Sequence, residues 1–260
     1  MLSSVDGVIG PAEEARIGVT DEGLTRGDGA FEVVRLYAGR PFAMADHYER
    51  LERTCAGIRL PLELDALRAE VDALLAQAGP LEGLMRIVLT RGGRRIATLE
   101  ALPHRPPVAR VATITYAPNR VLDGLKTLSY AGNMLAGRLA QEQGFDEALL
   151  VTPHGRVLEG PTWSFFWVRD GILLTPPLED RILASITRQV VIEETGATEA
   201  ICTLDDLRAA EEAFIASTVR EVMPIAAIDD VDLPAAPGEV TMAVREQVAR
   251  RIERELGAPA

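Results

Sequence analysis

Short apolar runs in the first 116 residues follow both the two-residue period of strands and the longer period of helices. "FEVVRLY" (31–37), the turn "AGR" and "PFAM" predict a β-hairpin. Helical spacing of apolar residues predicts helices in "DHYERLERTCAGI", with Asp46 as its cap, and in "ELDALRAEVDALLAQAG", which ends at Gly79. "LMRIVLTRGG" and "VARVATITYAP" are typical of strands, and we interpret the residues between them as a loop. This part of the chain is therefore predicted to be mixed α and β.

The second half repeats this mixture after "APNRVLDG" (117–124), whose Pro, Asn, Asp and Gly predict a linker. A helix in "NMLAGRLAQEQG" precedes predicted strands in "EALLVT", "RVLEG", "SFFWV", "ILLTPP" and "AFIAST". Ser185 caps and Gly196 ends a predicted helix in "SITRQVVIEETG", and "EVTMAVREQVARRIERELG" predicts a final helix. We therefore predict an α+β fold with a small domain (1–116), an interdomain linker (117–124) and a large domain (125–260).

Composition narrows the function classes. The 260 residues are 47% hydrophobic, enough for a sizeable core, and carry a net charge of −12, which disfavours nucleic acid and anionic membranes as partners. The apolar runs are too short to span a bilayer, and we identify no secretory signal. Two distant cysteines favour a reduced, cytoplasmic protein, and three scattered histidines make a metal site unexpected.

One lysine stands out, because the 27 basic residues are 26 arginines and Lys126. Arginine keeps its proton, whereas a lysine amine can lose its proton and attack a carbonyl to form a Schiff base. A lone lysine can also survive by chance in an arginine-rich composition. The position nevertheless indicates carbonyl chemistry as one reading of Lys126.

A pyridoxal 5′-phosphate enzyme needs two further groups, a carboxylate for the pyridine nitrogen and a binding site for the phosphate. The start of the helix in "LASITRQVV" offers amides without helical acceptors near Ile186 and Thr187, and "RVLEG" offers Glu159. Each also has an ordinary reading, a capped surface helix and a solvated glutamate at a turn.

Six segments, taken in order, resemble the class IV aminotransferases, the fold type IV pyridoxal-phosphate enzymes. They are "GDGAFEVVRLYAGRPF", "HYERLERT", "LKTLSYAGNMLA", "GFDEALLVTPHGRVLEGPTWSFFWVRDGILLTPPL", "ILASITR" and "EEAFIASTVREVMPI". The family includes branched-chain aminotransferases, D-amino acid transaminases, R-selective amine transaminases and aminodeoxychorismate lyase. The resemblance covers nearly the whole chain and implies a two-domain fold, a homodimer and pyridoxal phosphate as cofactor.

The resemblance also implies a role for each matching residue. Lys126 would be the catalytic lysine that binds the cofactor, Glu159 would pair with the pyridine nitrogen, and Leu183 would pack on the ring. The residues that would hold the phosphate, in three separate segments, are Arg50, Ile186, Thr187, Ser217 and Thr218.

The substrate end departs from the family patterns. D-amino acid transaminases of the best-known type bind the substrate carboxylate with a tyrosine and an Arg-x-His pair. In this sequence Phe31 occupies the position of the tyrosine, and Ile96 and Thr98 occupy the positions of the pair. The tyrosine-and-arginine strand motif of branched-chain enzymes is not visible either. The arginines that could bind a substrate carboxylate instead are Arg26, Arg94 and Arg95, although each could equally be a solvated surface residue.

We therefore expect a transaminase that acts on D-amino acids and 2-keto acids, with tolerance for R-amines. Aminodeoxychorismate lyase is the first alternative, and branched-chain L-amino acid aminotransferase is the second. A catalytically silent binding module on the same fold is a different class, which the set of Lys126, Glu159 and Arg50 disfavours.

Overall fold

The computed structural model describes residues 1–257, which form two compact units. The first contains Met1–Pro103, Leu125–Tyr130 and Glu255–Gly257, and the second contains His104–Gly124 and Ala131–Arg254. This division differs from the predicted boundaries at 116 and 124. Residues 109–115 fall in the second unit because they pair with strands of that unit, while the segment around Lys126 pairs with a strand of the first unit.

The first unit is an antiparallel sheet with helices. Its strands are β1 (Leu2–Val5), β2 (Val8–Pro11), β3 (Gly29–Tyr37), β4 (Arg40–Pro41), β5 (Gly83–Thr90) and β6 (Arg95–Glu100). Its helices are α1 (Glu22–Arg26), α2 (Met44–Gly57) and α3 (Leu64–Ala78), with a 3₁₀ helix at Ala12–Glu14. The strand order is β2-β1-β6-β5-β3-β4.

Alternation along β3 explains how this unit is packed. Ala30, Val34 and Leu36 are fully buried in a core that also contains Leu51 of α2 and Leu67 of α3. The predicted hairpin is confirmed as β3 and β4, and both predicted helices are present. Helix α2, however, begins at Met44, two residues before the expected cap.

The second unit mixes parallel and antiparallel pairing. Its strands are β7 (Ala109–Thr115), β8 (Glu147–Val151), β9 (Arg156–Val157), β10 (Ser164–Arg169), β11 (Ile172–Thr175), β12 (Thr198–Glu199), β13 (Cys202–Thr203), β14 (Glu212–Ser217), β15 (Glu221–Ile228) and β16 (Val231–Asp232). Its helices are α4 (Ala131–Glu142), α5 (Ile186–Thr195), α6 (Leu204–Arg208) and α7 (Glu239–Leu256), with a 3₁₀ helix at Leu178–Asp180; the end of α7 groups with the first unit. The sheet order is β12-β11-β10-β14-β15-β7-β8-β9-β13, and β16 pairs with β15.

Aromatic side chains fill the centre of this second sheet. Phe165 and Trp167 stack on one face of β10, and Phe166 stacks on Phe214 of β14 on the other. Because both faces are covered, β8, β10 and β14 read as continuous apolar runs. The predicted strand "RVLEG" is shorter than expected, since only Arg156–Val157 pairs. Among residues 1–257, no helix combines the length and apolar character that crossing a membrane requires.

Candidate active site

The segment that carries Lys126 is hydrogen-bonded to the start of β3. The amide of Phe31 donates to the Lys126 carbonyl at 3.1 Å, and the amide of Leu128 donates to the Gly29 carbonyl at 2.9 Å. A Cβ at Gly29 would lie 2.6 Å from Leu128 Cδ1 and 2.2 Å from the Leu89 carbonyl oxygen of β5, so glycine lets both neighbours approach closely. The backbone of Lys126 is therefore fixed by a strand-like pairing inside the first unit.

Aromatic rings flank the amine of Lys126. Its Nζ lies 4.3 Å from the ring centroid of Phe31 and 5.9 Å from that of Tyr130. The two rings meet edge to face at 5.2 Å, and the Lys126 amide donates to Thr54 Oγ1 at 3.2 Å. Lys126 is thus a half-buried residue whose amine lies against two aromatic rings.

Arg50 belongs to a buried charged cluster. Its Nε and Nη2 donate to the two carboxylate oxygens of Glu32 at 2.7 and 2.6 Å, which fixes the plane of the guanidinium. His47 lies one turn before it on α2 and contacts the same carboxylate through Nδ1 at 2.7 Å. Glu32, His47 and Arg50 are all buried, so their charges must balance within the cluster.

The pKa values of the cluster describe that balance. Burial alone would raise the pKa of Glu32, but Arg50 and His47 outweigh it and hold the pKa at about 2. Burial lowers the pKa of His47, and the charges of Arg50 and Lys126 act in the same direction against Glu32. The carboxylate is therefore ionised, the imidazole is neutral, and Nδ1–H must donate to Glu32 because an ionised carboxylate only accepts.

Glu159 lies in the second unit, two residues after the end of the short strand β9. Its Oε1 accepts a hydrogen bond from the amide of Leu183 at 2.9 Å, and its carbonyl accepts one from the amide of Leu150 at 2.9 Å. The pKa of Tyr116 is raised by burial and by the negative charge of Glu159. The carboxylate predicted to pair with a ring nitrogen is thus half-buried and held in place by the Leu183 amide.

The start of α5 has the features of an anion-binding site. Ser185 is the cap and accepts from the amide of Arg188 at 3.3 Å, as predicted. Ile186 and Thr187 are the first two helical residues, where amides have no acceptor within the helix and the dipole favours negative charge. Thr187 is buried and Leu183 is half-buried just before this turn.

A second polar turn follows β14. The hydroxyl of Ser217, which is buried, accepts from the amide of Arg220 at 3.1 Å and closes the turn that contains Thr218. Ser217 and Thr218 are therefore presented at the end of a fully buried strand. A rigid turn of this kind can offer hydroxyl and amide donors to a phosphate.

The three candidate substrate arginines differ in their partners. Arg26 ends α1 with a side chain that is 74% exposed and 3.8 Å from Glu22. Arg94 binds Asp6 at 2.5 Å, and Arg95 binds Glu70 at 2.8 Å and Glu63 at 2.6 Å. The hydrogen bond that Arg95 donates to Glu70 raises the pKa of Arg95 despite the opposing effect of burial.

The prediction that Arg94 and Arg95 lie in a loop is wrong in part. Arg95 begins strand β6, which includes Ile96 and Thr98 and pairs with both β1 and β5. The sequence analysis missed this strand, and it also missed Glu32, His47 and Tyr130. Glu32 carried a signal, because it shares the face of Ala30 and Val34 in an apolar strand, and a carboxylate there needs a buried cation.

The groups in each unit fit pyridoxal phosphate. The first unit has an amine able to bond an aldehyde and a buried arginine. The second has a fixed carboxylate, a helix start whose first N–H groups have no acceptor within the helix, and a turn that carries hydroxyl groups. These are the three kinds of group that hold this cofactor's aldehyde, ring nitrogen and phosphate.

Comparisons with known proteins agree with this chemistry. The family model for amino-transferase class IV matches residues 29–228. A D-alanine aminotransferase of Listeria innocua is 32% identical over 272 residues, which cover 94% of this chain and 93% of the relative. The fold IV transaminase CpuTA1 of Curtobacterium pusillum matches with a TM-score of 0.83 and 30% identity, over 94% of this chain and 93% of that chain.

A branched-chain aminotransferase of the thermophilic archaeon Thermoproteus uzoniensis, solved with norvaline, matches with a TM-score of 0.88 and 28% identity. The match covers 99% of this chain and 96% of that one. The chain therefore belongs to the class IV aminotransferases, and it is a pyridoxal-phosphate-dependent aminotransferase.

Proposed function

We propose that Lys126 binds the cofactor covalently through Nζ and is the catalytic residue. Pyridoxal phosphate supplies an electron sink for the pair left on the substrate Cα. Once free of the cofactor, the Lys126 amine would accept the proton from the substrate Cα as a general base and hold it for return as a general acid. The rings of Phe31 and Tyr130 support this role, because they restrict where Nζ can swing.

The other predicted residues bind and orient. Glu159 would keep the pyridine nitrogen protonated through its negative charge, and Leu183 would cover the ring. The residues that would hold the phosphate are Arg50, Ile186, Thr187, Ser217 and Thr218. Their support is the geometry given above: a guanidinium fixed by Glu32, a helix start and a closed turn.

We further propose that the amino donors are D-amino acids, with R-amines as secondary donors and 2-keto acids as acceptors. The observation that carries this proposal is the 30–32% identity to D-alanine aminotransferases of three bacterial genera, Listeria, Staphylococcus and Bacillus. A putative branched-chain-amino-acid aminotransferase of Methanocaldococcus jannaschii is 33% identical and supports the alternative. Branched-chain L-amino acids are the second candidate, favoured by the similarity to the T. uzoniensis enzyme.

Arg26 is the arginine that we propose for the substrate carboxylate. Asp21 caps its helix, accepting from Gly23 at 2.8 Å and from Thr90 Oγ1 at 2.8 Å. The helix position is thereby set while the guanidinium stays exposed. Arg94 and Arg95 remain weaker candidates, since acidic side chains already engage both.

A donor panel tests the substrate class. D- and L-amino acids and R-1-phenylethylamine are offered with 2-oxoglutarate and pyruvate, and turnover is measured for each pair. We expect D-amino acids to be the best donors. A preference for L-leucine or L-valine would replace this proposal with the branched-chain one, and pyruvate release from aminodeoxychorismate without any acceptor would replace it with the lyase.

We also propose a homodimer, which is the commonest closed assembly. Helix α4 supports it by exposing Met134, Leu135 and Leu139, side chains that a partner would cover. Sedimentation at micromolar concentration should give the mass of two chains. A fully active monomer would contradict the proposal.

A further inference from the structure

Arg220 is a buried arginine of the second unit that is not among the proposed cofactor contacts. Arg220 ends the turn after β14, and its side chain is only 3% exposed. Its Nη2 donates to Oε1 of Glu147, the first residue of β8, and its Nη1 donates to Thr162 Oγ1 at 3.3 Å. Its own amide donates to the hydroxyl of Ser217. One side chain therefore joins the turn to a different strand and to a different loop.

Glu147 extends this link to the loop that begins with Glu159. The indole Nε1 of Trp163 donates to Glu147 Oε2 at 3.3 Å, and the amide of Gly160 donates to the Trp163 carbonyl at 2.8 Å. A Cβ at Gly160 would lie 1.9 Å from the Trp163 ring, so the indole packs directly on the backbone that follows Glu159. The bend Glu159–Trp163 is thus hydrogen-bonded to Glu147 through Trp163 and to Arg220 through Thr162.

Burying this pair is costly, which makes its placement informative. Burial lowers the pKa of Arg220, and the nearby charge of Arg105 acts in the same direction, while Glu147 opposes both. An apolar pair of similar volume is often as stable as a buried ion pair. The pair is therefore better explained by the fixed geometry that its directional hydrogen bonds impose than by stability alone.

We propose that the Arg220–Glu147 pair is a positioning element that fixes the turn Ser217–Arg220 relative to the bend Glu159–Trp163. The inference rests on the proposed function, in which Ser217 and Thr218 hold the cofactor phosphate and Glu159 holds its ring nitrogen. We call Ser217 and Thr218 the phosphate anchor and Glu159 the ring anchor. If their spacing is fixed, a ligand that contacts both binds more tightly, because less entropy is lost on binding. A ligand that reaches only one anchor does not.

Three ligands separate these cases. Pyridoxal phosphate reaches both anchors, pyridoxal reaches the ring anchor, and inorganic phosphate reaches the phosphate anchor. Their dissociation constants are measured with the full-length chain freed of cofactor, by absorbance titration for the first two and by competition for phosphate. The variant is Arg220→Met/Glu147→Gln, which removes both charges so that neither is left buried alone.

We expect the double variant to bind pyridoxal phosphate about tenfold or more weakly, with changes below about twofold for the two partial ligands. Arg208→Met is the control, since Arg208 forms an exposed pair with Asp205 in the same unit. Pyridoxal phosphate affinity within about twofold of wild type would overturn the proposal, as would an equal loss for all three ligands. If the double variant does not fold, Thr162→Val, which removes only the hydroxyl that accepts from Arg220 Nη1 and leaves both charges paired, should give a smaller loss with the same pattern. An unselective loss would again overturn the proposal.

Glu159→Gln and Thr218→Ala, titrated alongside, separate this inference from the proposed function. If they leave the affinities for pyridoxal and for phosphate unchanged, the anchor roles are wrong and the coupling falls with them. If they weaken those affinities but the Arg220 variants are unselective, the anchor roles stand and only the coupling is overturned.

Discussion

The two units present their proposed cofactor-binding groups in different ways. In the first unit the groups are charged side chains whose positions depend on other side chains: Arg50 is fixed by Glu32, which also binds His47. In the second unit most of the groups belong to the backbone or are hydroxyls, at the start of α5 and in the turn after β14. Backbone groups stay in place when one side chain is removed, whereas removing the partner of a buried charge strongly destabilises the fold.

This comparison predicts where single substitutions should do most damage. Changes in the buried cluster of Glu32, His47 and Arg50 in the first unit should disturb both stability and cofactor binding. Changes to the proposed ring and phosphate contacts of the second unit should be milder, with the exception of Glu159, the one charge among them.

The largest effect is expected at Lys126. Lys126→Ala should reduce turnover by about 10⁴-fold, because the amine moves every proton at Cα in the proposed mechanism. Folding should change little, since the side chain is only half-buried. Steady-state rates and thermal unfolding of the same preparation check both statements, and residual turnover near the wild-type level would rule out the role.

The second largest effect is expected when the carboxylate of Glu32, which pairs with Arg50, is removed. Glu32→Gln should lower the free energy of unfolding by about 3 kcal/mol, because it leaves a buried guanidinium without its counter-charge. Denaturant unfolding measures this change. Glu82→Gln is the matched control: Glu82 also pairs with an arginine of β3 but is 58% exposed, so its loss should cost less than about 1 kcal/mol.

The same variant sharpens the comparison when cofactor affinity is measured. Glu32→Gln should weaken pyridoxal phosphate binding more than Thr187→Val, which removes one hydroxyl but leaves the amides at the start of α5. The hydroxyl should account for about 1 kcal/mol. A larger loss in the threonine variant would reverse the contrast between the units.

Glu159 tests the exception. Glu159→Gln keeps an oxygen that can accept from Leu183, so the loop should hold its shape. Without the negative charge the ring nitrogen loses its proton more readily, and proton transfer at Cα should slow by about 10²-fold. Rapid-mixing measurement of the amino-donor half-reaction reports this step, and an unchanged rate would mean that Glu159 does not face the ring.

A smaller and selective effect is expected at Arg26. Arg26→Ala should cost about 1.5–3 kcal/mol in kcat/KM for amino acids, the value of a charge-assisted hydrogen bond, and should spare R-1-phenylethylamine. Arg53→Ala is the control, because Arg53 is similarly exposed and also has a glutamate one helical turn away. Equal losses with both donors would show that Arg26 is structural.

The smallest predicted effect is a change in pH dependence. Folded His47 stays neutral because burial lowers its pKa, whereas the unfolded imidazole takes up a proton below about 6.5. Stability should therefore fall as the pH drops from 7 towards 5, and His47→Gln should flatten that part of the profile. Unfolding free energies measured across this range provide the check, and an unchanged slope would place a protonated imidazole in the folded cluster.

Much of the fold follows from local pattern, and the exceptions have physical causes. Strands β8, β10 and β14 were predictable because both faces are covered and their sequences are continuously apolar. Strands β1, β2 and β6 were missed, since they show fully buried apolar residues at few positions. Strand β15 was missed although it is apolar and largely buried.

The candidate site was predictable where a residue type is unusual and less so where a partner decides its role. Lys126 could be singled out because no other lysine occurs. The cluster around Arg50 depends on Glu32, 18 positions earlier, and the link from Arg220 to Glu147 spans 73 positions. No local pattern contains such contacts, so they became visible only in the folded chain.

The covalent attachment at Lys126 is the central claim, and reduction of the holoenzyme tests it most directly. Borohydride converts a Schiff base into a stable secondary amine, after which proteolysis and mass spectrometry locate the pyridoxyl group. The account predicts the label on the peptide that contains Lys126. A label confined to the N-terminal amine, with Lys126 unmodified in active enzyme, would contradict it.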